Sequence, residues 1–560
     1  MSVDQFDGSA LRAVIDKRRV KLMINELVNR YPILGEIKED IEKFYAVRVN
    51  NRLRELTYEI HYDSNIEFLD LNDSEACDVF ERSLRYLFCM AVYELYPTLQ
   101  FRLSYSVSRS ILVSPLSIEN FTMDMLKAIK AKMDELIAAN IDIVKEIVPA
   151  NEAAEIYKKY GYEDKIEILK YRPESTVHFH KCKNYKNYMY GIVVPSTGYL
   201  KNYKLLPYSS GLILQYPRSE NEGNIPPFID SPVFGRTLKE SYRWGKLIGA
   251  NSIAKVNESI KEYGDITFAN ICEARHNRQL TQIGSEIEKN IENVKLICVA
   301  GPSSSGKTTF ANRLRIELLS RGIKTIRISI DDYYKLKKDI PLGEDGTPDL
   351  ESIYALNIEQ FNEDILSLIQ GNEVTIPHYN FKKGIIEDGP TYKLGEDQII
   401  IIEGIHALNN MLTESIEDEQ KYRIYIAPQA QIFLDNHNPM SLTDLRLIRR
   451  MVRDYQFRNS PAVETLSMWK NVRLGEFKWI YDTQENANYV YNSFLQYELS
   501  VLKKYAFPLL NGIKKESEYF PIAERLIRLL KHFIDMDDSV VPNNSLIREF
   551  IGGSVYESML

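Results

Sequence analysis

Gly301-Pro-Ser-Ser-Ser-Gly306-Lys307-Thr308-Thr309 has the spacing G-x-x-x-x-G-K-[ST], and that spacing serves phosphate chemistry. Ser303, Ser304 and Ser305 are small enough to let the backbone curl, so that successive N–H groups, on through Thr309, converge as a nest for an anion. Lys307 adds a point charge that reaches the outer phosphates, and the Thr308 hydroxyl is placed to ligate Mg²⁺. Two carboxylates end apolar runs elsewhere: Asp331 after Thr325–Ile330, and Glu403 after Gln398–Ile402. A carboxylate at the C-terminal end of a parallel strand can take a proton from an attacking hydroxyl, or hold a metal or its waters. Arg446, Arg449, Arg450, Arg453 and Arg458 crowd one stretch, the first four on one helical face. Like charges at that spacing repel, so an anion between them explains the pattern better than a solvated face; a lid over ATP phosphates would supply it.

The elements that must position these residues are legible around them. Lys295–Ala300 is a short apolar, β-branched run that predicts a buried strand. After the loop, Phe310, Leu314, Leu318 and Leu319 recur at helical spacing until Gly322 stops the helix. Strand, glycine loop and helix stand in the order a nucleoside-triphosphate site requires.

A chain of 560 residues is too long for one core, so three or four domains are expected. Its 44% hydrophobic and 26% charged residues are ordinary for a globular protein. A net charge of −8 argues against a large nucleic-acid footprint. Five cysteines without a CxxC pair suit free thiols in a reducing compartment. The start lacks an apolar signal core and no apolar run reaches spanning length, so the expectation is a cytoplasmic protein with no membrane partner.

Before the loop, Val20–Leu27 and Leu34–Phe44 have helical spacing, Phe44–Val49 and Ile66–Leu71 alternate as strands, and Asn50-Asn51 supplies a turn. Phe80 to Leu95 forms an apolar helical stripe that stops before Pro97, and Met123–Ala139 and Asn151–Lys159 follow as helices. Val177–Phe179, Tyr190–Val194 and Leu212–Tyr216 read as strands, then Ser252–Tyr263 and Ile266–Ile291 as helices. His178, His180 and Cys182 alternate, so on a strand they would share a face; whether they bind a metal stays open, since no fourth ligand is evident.

GPSSSGKTT, SIDDYY, IPHYNF, IIEGIHAL and RLIRRMVRD, in that order, resemble the uridine/cytidine kinase and phosphoribulokinase family. VNNRLRELTYEI, IEFLDLNDSEA, ERSLRYLFCMAVYELYP and VVPSTGYLKNYKL are similar to the lead (TGS) and editing-type domains of threonyl-tRNA synthetase. The resemblances imply an α/β fold: a P-loop kinase domain with a parallel sheet flanked by helices, preceded by a small α/β TGS-like domain and an α+β synthetase-editing-like domain. The expected boundaries are 1–72, 73–265, a linker helix at 266–293, the kinase at 294–515 and a helical tail at 516–560. At the positions where the editing family binds metal stand Arg82, Tyr86, Met189 and Val193, so metal-dependent editing is not expected.

What the kinase resemblance implies is transfer of the γ-phosphoryl of Mg-ATP to a hydroxyl of a small molecule, foremost a uridine- or cytidine-like nucleoside. It assigns catalysis to Asp331, Lys307, Arg450 and Arg453, and ATP contacts to Gly301, Ser303, Ser304, Ser305, Gly306, Lys307, Thr308, Thr309 and Arg458. Thr308, Asp331 and Glu403 fall to the metal, and Glu351, Tyr379 and Phe381 to the acceptor. Three departures weaken a pyrimidine acceptor: Gly384 stands where the family reads the base with His, Glu351 replaces Asp, and Ser460 replaces the last lid Arg. A sugar or sugar-phosphate acceptor is one alternative, hinted at by Lys382-Lys383. The other is a nucleotide-dependent RNA-binding or regulatory protein, which leaves tRNA open as a partner. Self-association is also left open.

Overall fold

Five apolar runs build the sheet that carries the loop. The computed structural model describes residues 11–15, 19–24, 41–209, 211–343, 346–381, 383–395 and 397–557. The five strands are β1 (Leu296–Ala300), β2 (Lys324–Ser329), β3 (Gln398–Glu403), β4 (Lys421–Ala427) and β5 (Tyr489–Asn492). They run parallel in the order β2-β3-β1-β4-β5. All of β1, and β3 from Ile399 onward, is buried, the unbroken apolar pattern of strands covered on both faces. In the register, Glu403 lies beside both Val299 and Ser329, so the glycine loop after β1, Asp331 after β2 and Glu403 at the tip of β3 emerge at one edge. That edge, at the carboxyl ends of the strands, is where open parallel sheets place ligands.

Helices cover both faces. α1 (Lys307–Ser320) buries Phe310, Ala311, Leu314 and Leu318, and Gly322 at φ +79° reverses the chain after it. α2 (Leu442–Arg458) starts at Ser441, whose hydroxyl accepts from Thr443 N–H at 3.3 Å. α3 (Ala462–Trp479) and α4 (Glu498–Asn511) follow. Ile253–Tyr263 precedes the expected linker helix, Asp265–Lys289, and Phe520–Leu530 falls in the expected helical tail. All three pack into the same core as β1, with Val256, Phe268, Cys272, Ile283, Leu526 and Leu530 buried there.

Ahead of this unit lies an antiparallel five-stranded sheet in the order Leu11–Ile15, Arg19–Ile24, Ser64–Leu69, Ala46–Val49, Arg52–Arg54. The turn Asn50-Asn51 is present, with both residues at positive φ (47° and 61°). The helix read at Val20–Leu27 is corrected: Arg19–Ile24 is a strand, and Val20, Leu22 and Ile24 fit a period of two. Residues 25–40, which carry most of the other expected helix, lie outside the described residues.

The next unit sets the 22-residue helix Ser74–Leu95 and the helix Met123–Ala138 against a three-stranded and a four-stranded antiparallel sheet. Tyr190–Val194, expected as a strand, is loop; Val194 N–H donates to Ser83 Oγ of the long helix at 2.9 Å. Five free cysteines, all buried, agree with the unpaired thiols expected. Among the described residues no helix is long and apolar enough to cross a membrane.

The two halves interlock through residues 433–439. There Lys165 donates to Asp435 at 2.7 Å, both side chains buried, and Arg85 donates to His437 O at 2.6 Å. Leu103 N–H donates to Asn436 O at 2.8 Å, and Asn436 N–H to Asp164 at 2.6 Å. This segment leads directly into α2, so the helix that carries the arginines is anchored on the N-terminal half.

Candidate active site

The loop is shaped by two close approaches. At Gly301 any Cβ would run into the carbonyl oxygen of Ile426 on β4, and at Gly306 (φ +92°) it would run into the side chain of Leu546. Only glycine fits either place without displacing its neighbour. The loop carbonyls are held from behind: Arg446 Nε donates to Ser303 O at 3.0 Å, and Arg449 Nη1 to Ser304 O and Ser305 O at 3.4 Å each. A planar peptide points its N–H opposite its C=O, so bonds to these carbonyls turn the following amides away from the arginines. Arg450 Nη1 donates to Ser303 Oγ at 2.9 Å. Ser304 Oγ, Ser305 Oγ and Thr309 Oγ1 are buried with no hydrogen-bond partner among the described residues, polar capacity that an anion or its waters could use.

Lys307, Thr308, Asp331 and Glu403 converge in front of that loop. Thr308 Oγ1 donates to Glu403 Oε1 at 3.4 Å, and Lys307 Nζ donates to Gly301 O at 3.0 Å. Burial, and then repulsion from Asp331, raises the Glu403 carboxyl to about 7. Asp331 is raised by burial against the opposing pull of Lys307, and burial lowers Lys307 against the pull of both carboxylates. A hydroxyl beside the buried Glu403 carboxylate, which Asp331 repels, is a donor set that a small hard cation would relieve. The described residues contain no group of three His, Cys, Asp or Glu able to hold a metal by themselves. Mg²⁺ shared between one or two carboxylates and substrate phosphates does not need one.

The acceptor candidates gather beside Asp331. Glu351 is raised to about 7, mainly by burial, with Arg450 and Lys307 opposing. It fits because residue 475 of α3 is glycine: a Cβ there would collide with the Glu351 side chain. His406 Nε2–H donates to the Glu351 carbonyl at 3.0 Å. Tyr334, Tyr379 and Phe381 form an aromatic group with ring centroids 4.7 to 6.0 Å apart; Tyr379 is buried and Phe381 exposed. Gly384 takes φ +67° in the hairpin turn joining Glu373–Asn380 to Ile385–Lys393, with open space around it. Lys383 Nζ is bound to Glu387 at 2.8 Å, and Lys382 lies outside the described residues.

The five arginines separate into two sets. Arg446 and Arg449 are buried and paired with buried carboxylates, Arg446 with Glu476 and Arg449 with Glu498 at 2.7 and 3.0 Å. These glutamates are the anions that offset the like-charge repulsion, so this pair braces the loop and is no lid. Arg450, Arg453 and Arg458 share one carboxylate, Asp454, at 3.3, 2.8 and 3.5 Å, and keep a surplus of positive charge. Arg453 and Arg458 act electrostatically on Asp331, and mutual repulsion with Arg453, the largest cause, lowers Arg458 to about 10. Sequence reasoning missed Glu476 and Glu498, which no spacing signal links to the arginines. It also missed Asp454, which sits within the same motif, and the Asp332–His378 pair at 2.8 Å.

In the N-terminal half, burial and then Arg82 push His180 down to about 3, and His180 and Cys182 are buried. Arg82 Nη1 donates to Ile192 O at 2.8 Å, and its guanidinium leaves room for no side chain at Gly191. Arg82 thus reaches the loop that also carries Met189 and Val193.

A glycine loop between a buried parallel strand and a helix, faced by acidic strand ends, defines a P-loop α/β domain. Residues 296–496 match the family model "Phosphoribulokinase / Uridine kinase family". The N-terminal region matches threonine--tRNA ligases. That of Fusobacterium nucleatum subsp. nucleatum is 29% identical over 168 residues, 29% of this chain and 27% of that protein. That of Alkalilimnicola ehrlichii is 31% identical over 161 residues, 29% of this chain and 25% of the relative. The chain thus spans only about a quarter of the length of these curated relatives. Among solved structures, a "possible uridine kinase" from Bacillus stearothermophilus aligns at 16% identity over 37% of this chain and 99% of its own, with a TM-score of 0.25.

Proposed function

We propose that the protein is a kinase that transfers the γ-phosphoryl of ATP to a hydroxyl of an uncharged polyhydroxyl acceptor, a nucleoside or a sugar. The observation that supports it most is the convergence of Lys307, Thr308, Asp331 and Glu403 on one edge of the sheet. The loop amides and Lys307 hold phosphates, and Asp331, raised by burial, accepts the proton of the attacking hydroxyl. Arg450, Arg453 and Arg458 lay their surplus charge along the transferring group. Thr308, with Glu403 and Asp331, would hold Mg²⁺, which supplies charge neutralisation between the phosphates.

The acceptor pocket favours a neutral ligand over a sugar phosphate. Its inner wall is Glu351 and Asp331, and the described lysine of the hinted basic pair, Lys383, is committed to Glu387. The position of the base-reading His is a left-handed glycine turn, so the pocket lacks the contact that would single out a pyrimidine.

ADP release with Mg²⁺ across a panel of nucleosides, sugars and sugar phosphates tests this reading. We expect acceptor-dependent turnover that Lys307→Ala abolishes while the circular dichroism spectrum is unchanged. Undiminished turnover in that variant refutes the site. A second reading, nucleotide-dependent tRNA binding, rests on the similarity of the N-terminal region to threonine--tRNA ligases. Turnover indifferent to every acceptor, together with salt-sensitive tRNA binding, would favour it.

A further inference from the structure

Leu546 and Glu549 lie against the phosphate loop. Glu549 Oε2 accepts a hydrogen bond from Thr309 N–H at 3.1 Å. Thr309 is the third residue of α1, so its N–H is among the amides the helix leaves without an internal partner. It also belongs to the run of loop amides that cradles the phosphates in a G-x-x-x-x-G-K-[ST] site. Leu546, one turn before Glu549, lies over Gly306, the last glycine of the loop. Lys307 Nζ meanwhile bonds the loop's own carbonyls at Gly301 and Pro302.

The carboxylate is delivered by a rigid support. Leu546, Ile547 and Phe550 are wholly buried and belong to the core that contains β1. Arg548 is fixed by donating to Asp538 O at 2.9 Å, Val541 O at 2.6 Å and Gly552 O at 3.3 Å. Phe550 lies 5.1 Å from the Arg449 guanidinium, the group that braces the loop from behind. Backbone held this firmly does not lift away for a ligand; the Glu549 side chain alone can turn.

We propose that Glu549 is a built-in competitor for the nucleotide's phosphates, a carboxylate that a phosphate must displace before it reaches the amide of Thr309. This inference rests on the phosphate-binding reading of the loop given above. An anion at a helix N-terminus is favourable, which is why the contact forms in the free protein. A phosphate brought to the same amide meets a like charge and competes for the same donor. Glu549 also acts electrostatically on Lys307 and Glu403, so its departure changes the field in which the phosphates are read. The arrangement weakens nucleotide binding and reserves the loop for a ligand whose other contacts repay the displacement.

Calorimetric titration of the full chain with Mg·ATP, with adenosine as the uncharged control, tests the proposal. Glu549→Gln keeps the shape and an acceptor oxygen for Thr309 N–H, so its thermal midpoint should stay near that of the wild type. We expect it to bind Mg·ATP about tenfold more tightly, with no gain for adenosine. An unchanged affinity overturns the proposal, and a weaker one overturns it by making Glu549 a nucleotide ligand. Lys307→Ala added to Glu549→Gln must cancel the gain. A gain that survives, or no Mg·ATP binding by either protein, overturns the nucleotide site itself and the proposal with it.

Discussion

Replacing Arg449 by Met and, separately, Glu498 by Gln asks whether the buried arginines of α2 are braces, and the two variants should fail differently. Both side chains have no solvent exposure, and the guanidinium bonds the carboxylate twice, at 2.7 and 3.0 Å. Glu498→Gln strands a guanidinium that cannot lose its proton, so the expected loss is about 3–5 kcal/mol and flat between pH 5 and 7. Arg449→Met strands a carboxylate that can take up a proton. From an ordinary carboxyl pKa of about 4.3, that proton costs about 3.7 kcal/mol at pH 7 and about 1 kcal/mol at pH 5. The electrostatic loss in Arg449→Met is thus capped by a term that shrinks as pH falls. The sign follows from linkage: the folded variant holds a proton its unfolded chain does not, so its stability falls as pH rises. Roughly 2.7 kcal/mol should return between pH 7 and pH 5 in Arg449→Met and none in Glu498→Gln. Equilibrium urea unfolding followed by tryptophan fluorescence reads this, since Trp469 lies 5.4 Å from the neighbouring Arg446 guanidinium. Parallel pH profiles for the two variants would refute the reasoning.

Two further perturbations bear on the site. Because the Glu403 carboxyl is raised to about 7, its stabilising protonated form is complete below an ordinary carboxyl pKa of about 4.3 and is lost as pH rises through about 7. Thermal unfolding of the free protein should therefore move to lower temperature between pH 5 and 8, and Glu403→Gln should flatten that slope; an equally steep slope in the variant would remove Glu403 as its source. Gly475→Ala should gain about 1 kcal/mol of helix propensity yet drive the Glu351 side chain out of place. We expect the acceptor KM to rise severalfold with the KM for ATP unchanged, and an unchanged acceptor KM would place Glu351 outside the acceptor pocket.

The local features were legible in the sequence because each depends on residues close together in the chain. The strand Leu296–Ala300, the loop and α1 follow from an apolar run, a glycine spacing and a 3.6-residue period. The turn at Asn50-Asn51 and the helices at 74–95 and 123–138 follow from equally local rules. Short apolar segments escaped: Arg19–Ile24 supports a period of two or of 3.6 equally well over so few residues, and pairing with Ser64–Leu69 decides for strand. What the arginines do was not legible. Their repulsion pointed to an anion, but the anions are Glu476, Glu498 and Asp454, and the first two reach α2 from elements 30 and 49 residues away. The same holds for Glu549, 240 residues from the amide it caps, and for residues 433–439, whose partners lie in the N-terminal half. Sequence fixes local backbone preference and which groups carry charge. Which charges meet depends on long-range packing, and burial then sets what their meeting costs.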